Sequence, residues 1–304
     1  MVDLDGAVPM SLDVANSSVG VSWSTDSGRP WSPCAAEVEV ASADGARSAV
    51  LRPTVSCIPG ADISAGAYHT CALADGDVWC WGDNDEGQLG YGHTDALGDD
   101  DGEMGDDLPV VDLGTGRTAV AVSAGYEHSC AILNGGDVKC WGANDEGQLG
   151  YGHTDALGNH DGEMGDDLPV VDLGRTAVAI SAGDYHTCVI LDGGDVKCWG
   201  DNFLGQLGYG HDDNLGNDDD EMGGELPVVD LGTGRTAVAI SAGDNFTCAI
   251  LNDGNVKCWG DGDDGELGDE DATISRGNDD DEMGDKLPVV DLGTGRTAVA
   301  ISAG

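Results

Sequence analysis

Basic residues are scarce: 12 Lys+Arg stand against 58 Asp+Glu in 304 residues, a formal charge of −46. So acidic a surface repels nucleic-acid phosphates and anionic headgroups, which argues against chromatin or lipid partners. It suits solubility in high salt, or multivalent cations held between carboxylates. Long apolar runs are also missing. No stretch approaches the ~18 residues that a membrane-crossing helix needs, so no membrane insertion is expected. Met1 to Met10 show no basic segment followed by an apolar one, and no signal peptide is visible. Nowhere do apolar residues recur at i, i+3, i+4 and i+7, which excludes a helical solenoid. Catalytic signatures are absent too: there is no G-x-S-x-G, Walker loop, H-E-x-x-H or dinucleotide fingerprint. Carboxylate pairs abound, but in solvated runs they are a poor sign of acid–base chemistry. No catalytic residue is assigned and no enzyme is expected.

Glycine, in contrast, occurs 50 times among short apolar runs, the pattern of many strands joined by turns. The stretch Asp244–Gly268 recurs three more times, beginning near Ala67, Tyr126 and Asp184. Each copy holds a Cys, a turn of Asp, Asn and Gly, a second Cys, Trp-Gly, and a Gly-x-Leu-Gly ending. Ser64, Ser123, Ser181, Ser241 and Ser302 mark the period at about 60 residues. The units are read as 63–122, 123–180, 181–240 and 241–301, with a fifth opening at 302–304, all within a repeat region at 61–304. Each offers four strands; in the fourth they are Ala237–Ser241, Thr247–Leu251, Asn255–Trp259 and Leu287–Leu292. Residues 1–60 lie outside the period. Val19–Trp23 and Ala36–Ala41 alternate like strands, and fit either part of a small β-sandwich or an atypical cap.

Within the first copy, Asp75-Gly76 as a two-residue turn sets Leu73 opposite Val78 and Cys71 opposite Cys80. Later copies carry one more residue, as in Asn134-Gly135-Gly136, and keep the same partners. Directly opposed Cβ atoms lie within disulfide range, so Cys71–Cys80, Cys130–Cys140, Cys188–Cys198 and Cys248–Cys258 are expected as cross-strand bridges. Reduced, buried thiols and zinc are the alternatives. The leftover Cys34 and Cys57 form a plausible fifth bridge. The paired cysteines favour an oxidising, extracellular or cell-surface setting. They are weighed above the missing signal peptide, which a truncated start would remove. Trp81, Trp141, Trp199 and Trp259 face small residues of the neighbouring strand and read as structural core. His69, His128 and His186 read as blade-stabilising hydrogen-bonders. Arg117, Arg175, Arg235 and Arg296, with Lys139, Lys197 and Lys257, are each expected beside a carboxylate.

Ser-Ala-Gly-x-x-His-Thr-Cys-Ala-Leu, then Asp-Gly, then Trp-Gly-x-Asn-x-x-Gly-Gln-Leu-Gly, resembles the repeat of the regulator of chromosome condensation family. Ser64–Gly90 and Ser123–Gly150 carry it most fully; Ser241–Gly268 departs at Phe246, Gly262 and Glu266. The resemblance implies an all-β fold, a β-propeller usually of seven four-stranded blades. Here four complete four-stranded blades form an open, incomplete arc, which implies a fragment or self-association through the open propeller edge. The cysteine-bearing repeat is similar to that of secreted or surface members in bacteria and algae.

Between each Gly-x-Leu-Gly ending and the next Leu-Pro lies an acidic insertion. Calcium is the candidate cofactor there, held by Asp99, Asp100, Asp101 and Glu103, by Asp218, Asp219, Asp220 and Glu221, and by Asp279, Asp280, Asp281 and Glu282. The alternative is a solvated acidic surface, since the D-x-D-x-D-G pattern is met nowhere. Met104, Met164, Met222 and Met283 follow these clusters as anchors. His93, His153 and His211 are expected in exposed loops. The function expected is a non-catalytic protein-interaction scaffold presenting acidic loops to a protein partner of unspecified identity. The resemblance also implies a guanine-nucleotide exchange factor for a small GTPase, or an inhibitor of an extracellular enzyme.

Overall fold

The computed structural model describes residues 62–269 and 275–304, together with the backbone of three short strands before them. The chain divides into two compact units, Met1–Pro59 and Gly60–Gly304. In the first, β1 (Gly20–Trp23), β2 (Val38–Ala41) and β3 (Ser48–Leu51) pair antiparallel in that order. The Cys34–Cys57 bridge lies outside the described residues.

The second unit holds four three-stranded antiparallel sheets, one per repeat. Blade 1 is β4 (Asp62–Ala65), β5 (His69–Ala74) and β6 (Asp77–Gly82). Blade 2 is β7 (Ala119–Ala124), β8 (His128–Leu133) and β9 (Val138–Gly142). Blade 3 is β10 (Ala177–Ala182), β11 (His186–Leu191) and β12 (Val196–Gly200). Blade 4 is β13 (Ala237–Ala242), β14 (Phe246–Leu251) and β15 (Val256–Gly260).

Turn chemistry sets the register. Asp75 and Gly76 both take positive φ, 55° and 93°, the two-residue turn that matches strand twist, and Leu73 then pairs Val78 and Cys71 pairs Cys80. In blade 2 the Leu133 N–H closes on the Asp137 carbonyl around three residues, and Cys130 still faces Cys140. All four expected pairs are bridged, with Cα atoms 4.0–4.1 Å apart.

The expected fourth strand is not a ladder. Leu108–Leu113 runs extended beside β6 but makes one backbone bond to it, from the Val111 N–H to the Val78 carbonyl (2.8 Å); Val171, Val229 and Val290 repeat this. A side chain occupies the vacant positions. The Tyr91 hydroxyl accepts from the Cys80 N–H at 3.1 Å and lies 3.0 Å from the Cys80 carbonyl and 2.9 Å from that of Pro109. Tyr151 and Tyr209 do the same at Cys140 and Cys198. Proline in the segment has no N–H to offer, so a tyrosine spacer replaces ladder bonds that this backbone cannot complete.

The apolar core lies between blades. Leu73, Val78 and Leu89 of blade 1 pack with Val122, Ala131 and Trp141 of blade 2, and the pattern repeats along the arc. Polar groups cross the same interface. The Gln88 carbonyl accepts from Trp141 Nε1 (3.0 Å) and Ser129 Oγ (2.9 Å), both of blade 2. Since that hydroxyl proton is committed to Gln88, Ser129 Oγ accepts from His69 Nε2 at 2.7 Å. His128–Thr187 and His186–Thr247 repeat the contact at 2.9 Å.

Candidate functional site

The sequence places the site in the acidic insertions, and the structure shows how they are built. Each hangs from the end of a third strand. Gly82 and Leu97 exchange two backbone bonds, while Asn84 Nδ2 donates to the carbonyls of His93 and Asp95, and its Oδ1 accepts from the Leu89 N–H. His93 Nδ1 in turn accepts from the Asp95 N–H (3.2 Å), and its ring stacks on Tyr91 at 6.0 Å. His153 and His211 are held alike, so these three are loop fasteners. Asn84 and Tyr91 escaped the sequence reading as fasteners. Their recurrence as Asn144, Asn202, Tyr151 and Tyr209 was the available signal.

The acidic clusters divide by role. Glu103 Oε2 accepts from the N–H groups of Gly98 (2.8 Å) and Asp100 (3.1 Å), and these bonds, that of Asp100 first, hold its carboxyl below the usual range. Glu163, Glu221 and Glu282 turn inward in the same way. Asp99, Asp100, Asp101, Asp218, Asp219, Asp220, Asp279, Asp280 and Asp281 point to solvent. Asp281 pairs with Lys286. Among the described residues, no three His, Cys, Asp or Glu side chains come together in an arrangement that could hold a metal ion. Met164, Met222 and Met283 pack into the inter-blade cores, whereas Met104 is exposed.

Adjacent insertions are joined. The Gly92 N–H donates to the Gly158 carbonyl (3.0 Å), Gly152 to Gly216 (3.0 Å), and Gly210 to Gly277 (2.8 Å). The result is one continuous ridge across the arc. An open cleft of about 750 Å³ runs along it between Gly152–Asp155 and Asn217–Glu221.

The histidines are structural in position. His69, His128 and His186 are buried, and burial lowers their pKa values to about 4, 3 and 3, so all three are neutral. Trp141, Trp199 and Trp259 are fully buried. Trp81 is half-buried, and among the described residues no preceding Gln carbonyl meets it. The arginines have carboxylate partners: Arg117 with Asp137, Arg175 with Asp192 and Asp195, Arg235 with Asp253. Arg296 instead donates to the Leu292 carbonyl. The lysines do stand near carboxylates, Lys139 by Asp166 and Asp112, Lys197 by Asp172 and Lys257 by Asp285 and Asp230, but their direct bonds go elsewhere. Lys139 Nζ is buried and donates to two carbonyls, Leu113 (3.1 Å) and Gly165 (2.7 Å); Lys197 and Lys257 do the same. A flexible ammonium with three donors ties two loop carbonyls together, with the carboxylates acting through charge alone.

Repeated hairpins locked by Trp, His and Gln across their interfaces define a repeat-built β-propeller arc. The regulator of chromosome condensation (RCC1) repeat models match residues 61–88, 119–148, 177–206 and 237–266 in one form, and 75–132 and 135–190 in another. The chain belongs to the RCC1 repeat family. It is 34 % identical over 215 residues to the ultraviolet-B receptor UVR8 of Arabidopsis thaliana, covering 69 % of this chain and 43 % of the receptor. It is 29 % identical over 214 residues to the E3 ubiquitin-protein ligase HERC2 of Homo sapiens, covering 67 % of this chain but 4 % of the ligase. The chain thus spans less than half the length of these relatives. In fold it is similar to Prp20p of Saccharomyces cerevisiae, described with its binding to Gsp1p and histones. There the TM-score is 0.58 at 17 % identity, covering 88 % of this chain and 62 % of that one. Yeast RCC1 (Prp20) in a complex with Kap60 gives 0.55 at 19 %, over 80 % and 51 %.

Proposed function

We propose that this propeller is a non-catalytic scaffold in an oxidising, extracellular or cell-surface setting, and that its acidic ridge binds a protein partner. The observation that carries this reading is the joining of neighbouring insertions by backbone bonds, which presents outward aspartates on a preformed surface. The four cysteine pairs support the setting. Thiol labelling of the native protein checks it, and free thiols at the hairpins would overturn it.

Replacing Asp99, Asp100, Asp101, Asp218, Asp219 and Asp220 with Asn tests the ridge. These side chains are exposed, so the fold is expected to persist. Partners retained from culture medium or cell surface by the unaltered protein should be lost by the variant. Equal capture by both would sink the assignment. Exchange activity has a separate assay: faster release of guanine nucleotide from a small GTPase would replace the scaffold reading. Loss of an extracellular enzyme's activity on titration would make the partner that enzyme. The edge of blade 1 at Trp81 offers a surface for self-association, checked by sedimentation across concentration.

A further inference from the structure

A second surface lies beside the bases of the loops that carry the ridge, where the Tyr68 carbonyl accepts from the Asp83 N–H (3.0 Å). The turns joining the first and second strands of successive blades stack backbone on backbone. The Ala67 N–H reaches the Gly125 carbonyl (3.3 Å), and Asp184 reaches Asp244 (3.4 Å). A Cβ on Gly66, Gly125 or Gly183 would run into the carbonyl of the next turn, so only glycine permits the stack. It sets Tyr68, Tyr126 and Tyr185 in a row. Tyr68 and Tyr126 meet edge to face at 5.2 Å with hydroxyls 3.1 Å apart, and Tyr126 and Tyr185 lie 5.3 Å apart. Tyr68 is 56 % exposed, and the other two are partly so. Three rings in contact at the surface, where none fills the core, need an explanation that packing does not supply.

Charge supplies one. Glu127 and Asp184 stand beside the row, with Asp83, Asp85, Glu86 and Asp145 around Glu127 and Asp244 beside Asp184. Burial raises the pKa of both carboxyls, Asp184 to about 6, and every neighbouring charge that acts on them is another carboxylate. The described cations are committed elsewhere. Among the described residues Arg117, Arg175, Arg235, Arg276 and Lys286 pair with other carboxylates, while Arg296, Lys139, Lys197 and Lys257 hold carbonyls.

We infer that Tyr68, Tyr126 and Tyr185, with Glu127 and Asp184, form a docking groove for an arginine-rich extended segment of a partner protein. A guanidinium is planar. It stacks on an aromatic face and offers a donor fork to a carboxylate, and the groove holds both side by side. Lysine has the charge without the plane. The groove shares no residue with the ridge, so either assignment can fail alone.

Fluorescence anisotropy with octa-arginine and octa-lysine peptides at 150 mM salt tests this. The unaltered protein should bind octa-arginine roughly tenfold more tightly than octa-lysine. Tyr126→Leu with Tyr185→Leu should abolish that preference, while Tyr126→Phe, which keeps the ring, should retain it. Asn at Asp218, Asp219 and Asp220 should weaken both peptides alike and leave the preference intact. Equal binding of the two peptides by the unaltered protein, or a preference that survives loss of both rings, would overturn the groove. These tyrosines lie in surface turns, and unchanged thermal unfolding of the leucine variant excludes misfolding as the cause.

Discussion

Where blade 2 carries His128, Asn144, Gln148 and Tyr151, blade 4 carries Phe246, Gly262, Glu266 and Asp269. The hairpin survives all four exchanges. Cys248 is still bridged to Cys258, Trp259 Nε1 and Thr247 Oγ1 still donate to the Gln206 carbonyl, and Lys257 still ties Leu231 to Gly284. What is kept faces the preceding blade. What is replaced either faces forward, as the histidine does toward the next blade's hydroxyl, or fastens the blade's own loop. Glu266 alone keeps an old task, accepting from the Asp264 N–H as Gln148 accepts from that of Glu146. Asp269 takes Arg276 in place of the tyrosine spacer. Blade 4 therefore shows two separable sets of contacts, a backward set that is kept and a forward and loop set that is exchanged.

If that division is right, removing a backward contact should cost the same in blade 3 as in blade 4. Trp199→Ala and Trp259→Ala should each lower stability by about 3–5 kcal/mol in urea titration, since both rings are fully buried. A much smaller loss at Trp259 would break the comparison. Next in size are the bridges. Replacing Cys188 and Cys198 together by Ala removes a closure of 10 residues, worth roughly 2.5 kcal/mol on the chain-entropy model. The Cys248–Cys258 pair should match it.

The forward set has its own signature in pH. His69, His128 and His186 have folded pKa values lowered by burial from 6.5 to about 4, 3 and 3, so the unfolded chain takes up protons first as pH falls. The stability these groups contribute is present above pH 6.5 and is lost progressively below it, by roughly 2 kcal/mol for each His at pH 5. Blade 4, with Phe246, has no such term. His186→Phe should therefore flatten the slope of unfolding free energy between pH 5 and 7 relative to the unaltered protein. An unchanged slope would show that the ring is not held neutral by burial.

The hairpin was legible because one period recurs with its partners in register: Cys71 opposite Cys80 and Thr70 opposite Trp81 follow from turn length alone. The interface network was not. That the His69 ring reaches Ser129 of the next blade, and that the Gln88 carbonyl receives Trp141, are facts of inter-blade placement that strand alternation cannot supply. The fourth strand failed for a related reason. Leu-Pro-Val-Val alternates like a strand, but its proline has no N–H to pair, and in blade 1 the Tyr91 hydroxyl fills the ladder positions left on the third strand. The acidic clusters were visible as composition, while the inward turn of Glu103 depended on loop conformation.

The smaller effects test the loop fasteners that blade 4 lacks. Tyr151→Phe deletes the hydroxyl that accepts from the Cys140 N–H at 2.9 Å and leaves that donor unpaired. A loss of about 1–2 kcal/mol is expected by thermal unfolding. The corresponding Asp269→Asn in blade 4 keeps an acceptor for Arg276 while removing the charge from a mostly buried ion pair, and should cost about 1 kcal/mol. The smallest effect concerns calcium. A calcium site needs six to eight oxygens, usually with a bidentate carboxylate among them. In these insertions Glu103, Glu163, Glu221 and Glu282 are each spent on the loop's own N–H groups, and the aspartates that remain point outward. Chelator should leave the melting temperature unchanged, and calorimetry with added calcium should show only weak, unsaturated heat. A saturable site would mean that the glutamates let go of the backbone to meet the ion; Glu221→Gln, which keeps an acceptor but drops the charge, should then abolish it.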